Sequence, residues 1–384
     1  MRISVDSPSY LHHGLLVPSQ IFSAELRFGV SKCLCHPQCI FPSTNPNPFC
    51  TMQLPLALAA SFSAAALVHA HIAAFTKGMW CINGSTGDNL NSDDPVLPLY
   101  QLEFDQWWMH AFNGCNQRPP NPGDFLTLPS GDSVVLELAS NQAFTSLSYG
   151  GRLTSDWPNG QNYPDNNTNP SCITAPNLHT QNQSMAAGTA LAISYQSDIT
   201  KVTPENLAVI SVAYNTPFKR LATYHIPDGL PPCPEGGCIC GWSWIPNGCG
   251  QPNMYFSASR CQVSGNTNSS KSLGSPKPPA WCEGNSTACV KGPKQMLYWH
   301  QASGNNIEVS GYDLSGEPKS PAYNAKCGFA DGAQNDIFDD DDSSISESTL
   351  IKRSLRSVGG ATDSIGESDV ERRRLRRARK NIGY

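Results

Sequence analysis

The sequence predicts an all-β fold, an immunoglobulin-like antiparallel β-sandwich with long disulfide-pinned loops and few short helices. Three observations carry that expectation. No long stretch shows helical periodicity; several short runs alternate or are rich in β-branched residues; and Gly/Pro-rich connections separate them. The strand candidates are Ser133–Leu138, Leu191–Tyr195, Leu207–Tyr214, Leu221–Ile226, Met254–Val263 and Gln295–Trp299. Segments such as Ser155–Asn177 and Ser264–Pro279 are long for sandwich connections and read as surface loops, some pinned by disulfides. Leu99–His110, dense in aromatics, is the one short-helix candidate.

Composition divides the 384 residues into four parts. Residues 52–70 are an apolar segment ending Val68-His69-Ala70, a small-x-small cleavage pattern, and read as a secretory signal peptide. The apolar run is shorter than the roughly 18 residues of a membrane span and no basic flank follows it, so a retained anchor is the weaker reading. Signals act at an N-terminus, which makes residues 1–51 a gene-model extension, expected to be disordered; Cys33, Cys35, Cys39 and His36 there match no zinc spacing well. Residues 71–338 form one domain, poor in charge and rich in Gly, Pro, Asn and Ser. Residues 339–384 run from four aspartates to a basic cluster at Arg372–Lys380 and contain too little apolar surface to fold. For that tail, processing or contact with a wall polyanion is favoured over nucleic acid, and neither nucleic acid nor a membrane is expected as a partner of this monomer.

The domain holds eleven cysteines, which behind a secretion signal read as a disulfide framework; the odd number leaves one over, and the connectivity stays open. Sequons at Asn83, Asn166, Asn182, Asn268 and Asn285 fit a secreted glycoprotein.

Cleavage after Ala70 would make His71 the first residue. A terminal histidine can bind one metal through its α-amine and ring Nδ1 together, and the amine, titrating at about 7.7–8, gives up its proton readily. A second imidazole opposite would complete three nitrogens in a T, an arrangement suited to Cu(II). On these residues alone a histidine left by chance is the commoner case. The partner would come from His110, His179, His225 or His300. His110 follows Trp107-Trp108-Met109, where burial is favoured; His179 sits in a polar loop before a strand, where a sandwich can present a ligand, and is the first choice without excluding the others.

Several irregular stretches resemble one known family: His71-Ile72-Ala73-Ala74-Phe75, Asn177-Leu178-His179-Thr180-Gln181-Asn182, Pro252-Asn253-Met254-Tyr255, Asn305 to Asp313, and Asp331 to Phe338. Together they resemble the fungal auxiliary activity family 14 lytic polysaccharide monooxygenases over essentially all of 71–338. The resemblance implies a secreted copper enzyme in which a histidine brace holds one Cu(II)/Cu(I) ion. His71 supplies the amine and Nδ1, His179 the opposing nitrogen, and Tyr255 the axial position; the residue alone would read as a core tyrosine. It further implies an external reductant of unknown identity, dioxygen or hydrogen peroxide as co-substrate, and oxidative cleavage of plant cell-wall polysaccharide, xylan associated with cellulose. Gln181 and Gln251 lie near enough in sequence to donate into such a site. The family pattern around Asn324-Ala325-Lys326 carries no cysteine, so Cys327 is expected to be the unpaired thiol. No carboxylate pair argues for a glycoside hydrolase instead.

Trp157, Tyr163, Trp242 and Trp244 could stack on sugar rings, although structural packing is favoured for each. A secreted non-catalytic copper-binding protein using the same brace is the alternative, and a disulfide-stabilised effector without metal the third reading.

Overall fold

The computed structural model describes residues 71–246 and 248–339. The assignments made above for residues 1–70 and for the tail beyond 339 lie outside the described residues. Nine strands are present among those described: β1 Ala73–Phe75, β2 Leu126–Ser130, β3 Ser133–Ala139, β4 Thr189–Ser194, β5 Ala208–Ala213, β6 Leu221–His225, β7 Cys238–Trp244, β8 Tyr255–Gly265 and β9 Gly332–Ala333. They form a three-stranded sheet, β1-β3-β6, and a six-stranded sheet, β2-β8-β7-β4-β5-β9, packed as a sandwich. All pairings are antiparallel except β2 with β8.

Alternation explains where the core lies. Leu136 and Leu138 of β3 turn inward to meet Leu191 and Ile193 of β4 and Trp242 and Trp244 of β7, forming one apolar core between the sheets. The opposite face of the six-stranded sheet is buried too. Ala190, Ile239 and Phe256 pack there beneath Trp107, Met296 and Tyr298 from irregular segments. Strand β7 therefore has seven buried residues, and its alternate side chains enter two different cores. Burying a large apolar side chain contributes roughly 1.5–3 kcal/mol, so this doubly covered strand anchors the fold. Gly241 at its centre is required by packing, because a Cβ there would lie 2.9 Å from Phe256 and 3.0 Å from the Met296 sulfur.

Two assignments shift. The 295–299 segment is not a strand: its ladder to β5 is a single bridge from Gln295 to Ala208. Its backbone is satisfied by side chains instead, the Leu297 N–H donating to the Tyr323 hydroxyl at 3.0 Å and the Tyr298 N–H to Asn306 Oδ1 at 2.8 Å. The Leu99–His110 stretch is helical only from Phe104, as α1 Phe104–Trp107 followed by a kinked 3₁₀ stretch, because Leu99 instead exchanges backbone hydrogen bonds with Met254.

Disulfides join Cys81 to Cys115, Cys172 to Cys249, Cys233 to Cys238, Cys240 to Cys261 and Cys282 to Cys289. Cys327 is the free cysteine among the described residues, and it is buried.

Candidate metal centre

His71 stands two residues before β1. Antiparallel pairing of Ala73 with Ala139 fixes the direction of that strand. Ile72 enters the inter-sheet core, in the same apolar cluster as Leu178, Trp244 and Tyr255. His71, directly before Ile72, is half-buried.

His179 is presented by a tightly closed loop. The Ile173 N–H donates to the Thr180 carbonyl at 2.9 Å, Thr174 bridges Asn177, and the Thr180 hydroxyl donates to the Asn182 carbonyl at 2.8 Å. The Cys172–Cys249 disulfide ties this loop to the segment joining β7 and β8. That segment also orients the imidazole, since Nδ1 of His179 hydrogen-bonds the Cys249 carbonyl. A carbonyl can only accept, so Nδ1 carries the proton and the lone pair is left on Nε2, the arrangement that typically prepares a histidine for a metal. Burial pushes the His179 pKa down to about 4, against the opposing pull of the Cys249 hydrogen bond. The ring is neutral at any ordinary pH, and a metal meets no proton there.

Tyr255 opens β8 and pairs with Trp244, the last residue of β7. The two rings stack, with centroids 4.7 Å apart and planes at 20°. Trp244 in turn meets the His179 ring edge-on at 5.9 Å, so one indole sets the spacing between the histidine and the tyrosine. Burial raises the Tyr255 phenol above its ordinary range, and a hydrogen bond with the Asn253 side chain opposes that shift. The phenol is neutral and suits a weak oxygen donor better than a strong anionic one. A neutral imidazole with its lone pair on Nε2, a neutral phenol and a histidine at the start of the domain are a donor set whose chemistry fits Cu(II).

The family model for lytic polysaccharide monooxygenase AA14 matches residues 52–371. The chain belongs to the AA14 lytic polysaccharide monooxygenase family. Similar proteins are AA14 family lytic polysaccharide monooxygenases B from three fungi. That of Talaromyces rugulosus is 39% identical over 296 residues, 71% of this chain and 94% of that protein. That of Pycnoporus cinnabarinus is 36% identical over 300 residues, 75% of each chain. That of Trametes coccinea is 35% identical over 303 residues, 75% of this chain and 67% of that protein. As an AA14 enzyme, the protein is a copper-dependent polysaccharide monooxygenase.

The other candidates in this AA14 protein separate from these residues. His110 is buried with both ring nitrogens engaged, Nδ1 with Asn113 Oδ1 and Nε2 with the Leu97 carbonyl, each at 3.1 Å. His225 Nδ1 pairs with the Ser133 hydroxyl at 2.8 Å, and His300 packs against Tyr100 and Trp299. Gln181 is buried beside the Cys172–Cys249 disulfide, its amide donating to the Ser171 carbonyl at 3.2 Å, while Gln251 is exposed. The four aromatics considered for sugar stacking do not form an open platform. Trp157, Trp242 and Trp244 are buried, and Tyr163 is half-buried with its carbonyl accepting from the Trp157 indole. Asn253 was missed; lying two residues before Tyr255 in extended chain, it shares that residue's side, and this i, i+2 relation was the available signal.

Proposed function

We propose that the protein is exported, cut between Ala70 and His71, and works outside the cell as a mature 71–338 domain carrying a 339–384 tail. His71 would then hold one copper ion through its freed amine and Nδ1, His179 would hold it through Nε2, and the Tyr255 phenol would be the third contributor. The substrate is xylan associated with cellulose.

One observation carries this reading: the bond from His179 Nδ1 to the Cys249 carbonyl, which leaves Nε2 as the free donor of a buried neutral ring. Copper, when bound, supplies one-electron redox chemistry and activation of the oxygen co-substrate. The chain's own residues do the rest. Trp244 keeps His179 and Tyr255 at fixed separation, the disulfide and the Cys249 carbonyl prevent the imidazole from turning, and the buried phenol excludes water from one side. Membership of the AA14 lytic polysaccharide monooxygenase family supports a polysaccharide substrate, and among the described residues no helix is long and apolar enough to cross a membrane.

Expression from Met52 followed by N-terminal sequencing tests the cleavage. Copper titration of that product, beside a version keeping Ala70, tests the brace: the extended protein, whose His71 nitrogen is an amide, should bind copper at least a hundredfold more weakly. Equal affinity of the two would remove His71 from the site. Oxidised oligosaccharides released from xylan–cellulose composites, and not from either polymer alone, would establish the substrate.

A further inference from the structure

Hydrogen peroxide oxidises reduced sulfur readily, and the domain exposes very little of it. The chain from His71 onward holds five methionines. Met79, Met254 and Met296 are fully buried and Met109 is 3% exposed, whereas Met185 keeps 39% of its surface in solvent. The described cysteines are poorer targets. Ten are paired in disulfides, and the free one, Cys327, is buried, with burial pushing its thiol pKa up to about 11. Among the described residues Met185 is therefore the one exposed reduced sulfur.

That exposure is built into the chain that follows His179. Asn182 caps the 3₁₀ turn Gln183–Met185, its Oδ1 accepting from the Ser184 hydroxyl at 2.7 Å and the Met185 N–H at 3.1 Å. Directly after the turn the backbone is pinned inward. Ala186 and Ala187 are buried, and the Gly188 N–H donates to the Thr216 carbonyl at 2.9 Å. Gly188, at φ 85°, lies so near Tyr323 that a Cβ there would collide with the Tyr323 carbonyl oxygen. Met185 is thus the last outward residue before β4 begins at Thr189. Covalent reach alone keeps it near the proposed ligands. Met185 is six residues from His179 and four from Thr189, spans of at most about 22 and 14 Å. Thr189 pairs with Trp244, the residue whose indole meets the His179 ring.

We propose that Met185 is a methionine-sulfoxide site, oxidised by hydrogen peroxide in the folded protein ahead of every other methionine. The thioether sulfur attacks one peroxide oxygen, the O–O bond breaks and an S–O bond forms. The second oxygen leaves as hydroxide and takes up the peroxide proton to become water. Sulfur loses two electrons and the peroxide gains them, so the step itself needs no metal. Peroxide released by the copper-loaded enzyme is one source, and for that source alone the site rests on the copper reading above. Because the side chain is at the surface, the new S–O dipole meets water and the oxidised protein keeps its fold. The same change at Met79 or Met296 would bury an unpaired polar group in a core.

The test is peptide mass mapping of the mature chain from His71 during exposure to hydrogen peroxide in the presence of a chelator. Met185 should gain one oxygen about tenfold faster, or more, than Met79, Met109, Met254 and Met296, because buried methionines react only when the fold opens. Urea should bring all five to similar rates, and methionine sulfoxide reductase should remove the oxygen. Met185→Leu should show no oxidised methionine over the same period, with Tm and copper affinity as in wild type. The proposal is overturned if a second methionine of the folded protein oxidises as fast as Met185, or if the sulfoxide form melts several degrees below the reduced one. Copper-loaded enzyme given ascorbate in air, with no peroxide added, should form the same sulfoxide, and catalase should prevent it. No sulfoxide under those conditions, where added peroxide does produce it, would refute the copper reading and leave the Met185 site standing.

Discussion

Gly250→Ala separates the orientation of His179 from its mere presence. Gly250 sits at φ 92°, and a Cβ there would lie 3.3 Å from Cε1 and 3.4 Å from Nδ1 of His179. Two costs follow. A side chain in the left-handed region costs about 1–2 kcal/mol, and in a domain of this size each kcal/mol lowers Tm by about 2–4 °C, so a loss of about 2–8 °C is expected. The methyl group also pushes on the imidazole at the atom bonded to the Cys249 carbonyl, one residue before. Loss of such a ligand-orienting bond typically lowers metal affinity about 10–100-fold. Calorimetric copper titration and the EPR spectrum of the Cu(II) form read the second effect, and differential scanning calorimetry the first. A variant that melts several degrees lower yet binds copper with wild-type affinity and spectrum would show that the Nδ1 bond does not govern the site, and the orientation argument would fail.

Tyr255→Phe removes the hydroxyl bonded to Asn253 and should cost about 1 kcal/mol of stability in urea; copper should still bind, with an EPR spectrum shifted from wild type, and an identical spectrum would take the phenol out of the axial position. Burial pushes the Cys327 thiol up to about 11, so a protein beginning at His71 should not react with a thiol reagent at pH 8 until denatured, when one thiol should appear. Replacing both Cys172 and Cys249 with Ala opens a loop of 77 residues; chain entropy puts the cost at about 4 kcal/mol, measured by urea unfolding. Burial lowers the His110 pKa from its ordinary 6.5, with Asn113, the Leu97 carbonyl and Asp94 pulling the other way. The unfolded chain therefore takes up the proton first, and His110's contribution should be constant above about pH 6.5 and shrink as pH falls below it. His110→Gln should flatten that part of the pH profile of urea unfolding.

Legibility followed local composition. Strands β3 and β6 alternate buried with exposed or half-buried positions, and β4 and β5, buried throughout, still carry aliphatic and β-branched runs, so all four were readable as strands from sequence. Strand β7 was not, because Cys238-Ile239-Cys240-Gly241 shows neither alternation nor such a run. Conversely, Gln295–Trp299 has a strand's composition but finds hydroxyl and amide partners in place of a neighbouring ladder, which only tertiary structure can arrange. At the site, chemistry singled out His71, since a liberated amine beside an imidazole is a donor pair no internal histidine has. Tyr255 came only through resemblance, because a fully buried tyrosine at a strand start looks the same whether it faces a metal or a core. For Trp157, Trp242 and Trp244 the packing role favoured from sequence is the one the structure shows, although sequence alone cannot divide tryptophans in turn-rich segments into those that pack and those that face solvent.

This bears on how the metal end of the sandwich is built. Trp244, which orients the proposed ligands His179 and Tyr255, lies in the inter-sheet core and could be exchanged only at the cost of cavities or overpacking. His179, at φ 48°, is a strained loop residue whose ring rests on that indole. Substitutions at Trp244 should therefore disturb copper binding and stability together. Trp244→Phe, which keeps an aromatic face but shortens it, is the variant in which the two effects should appear in fixed proportion.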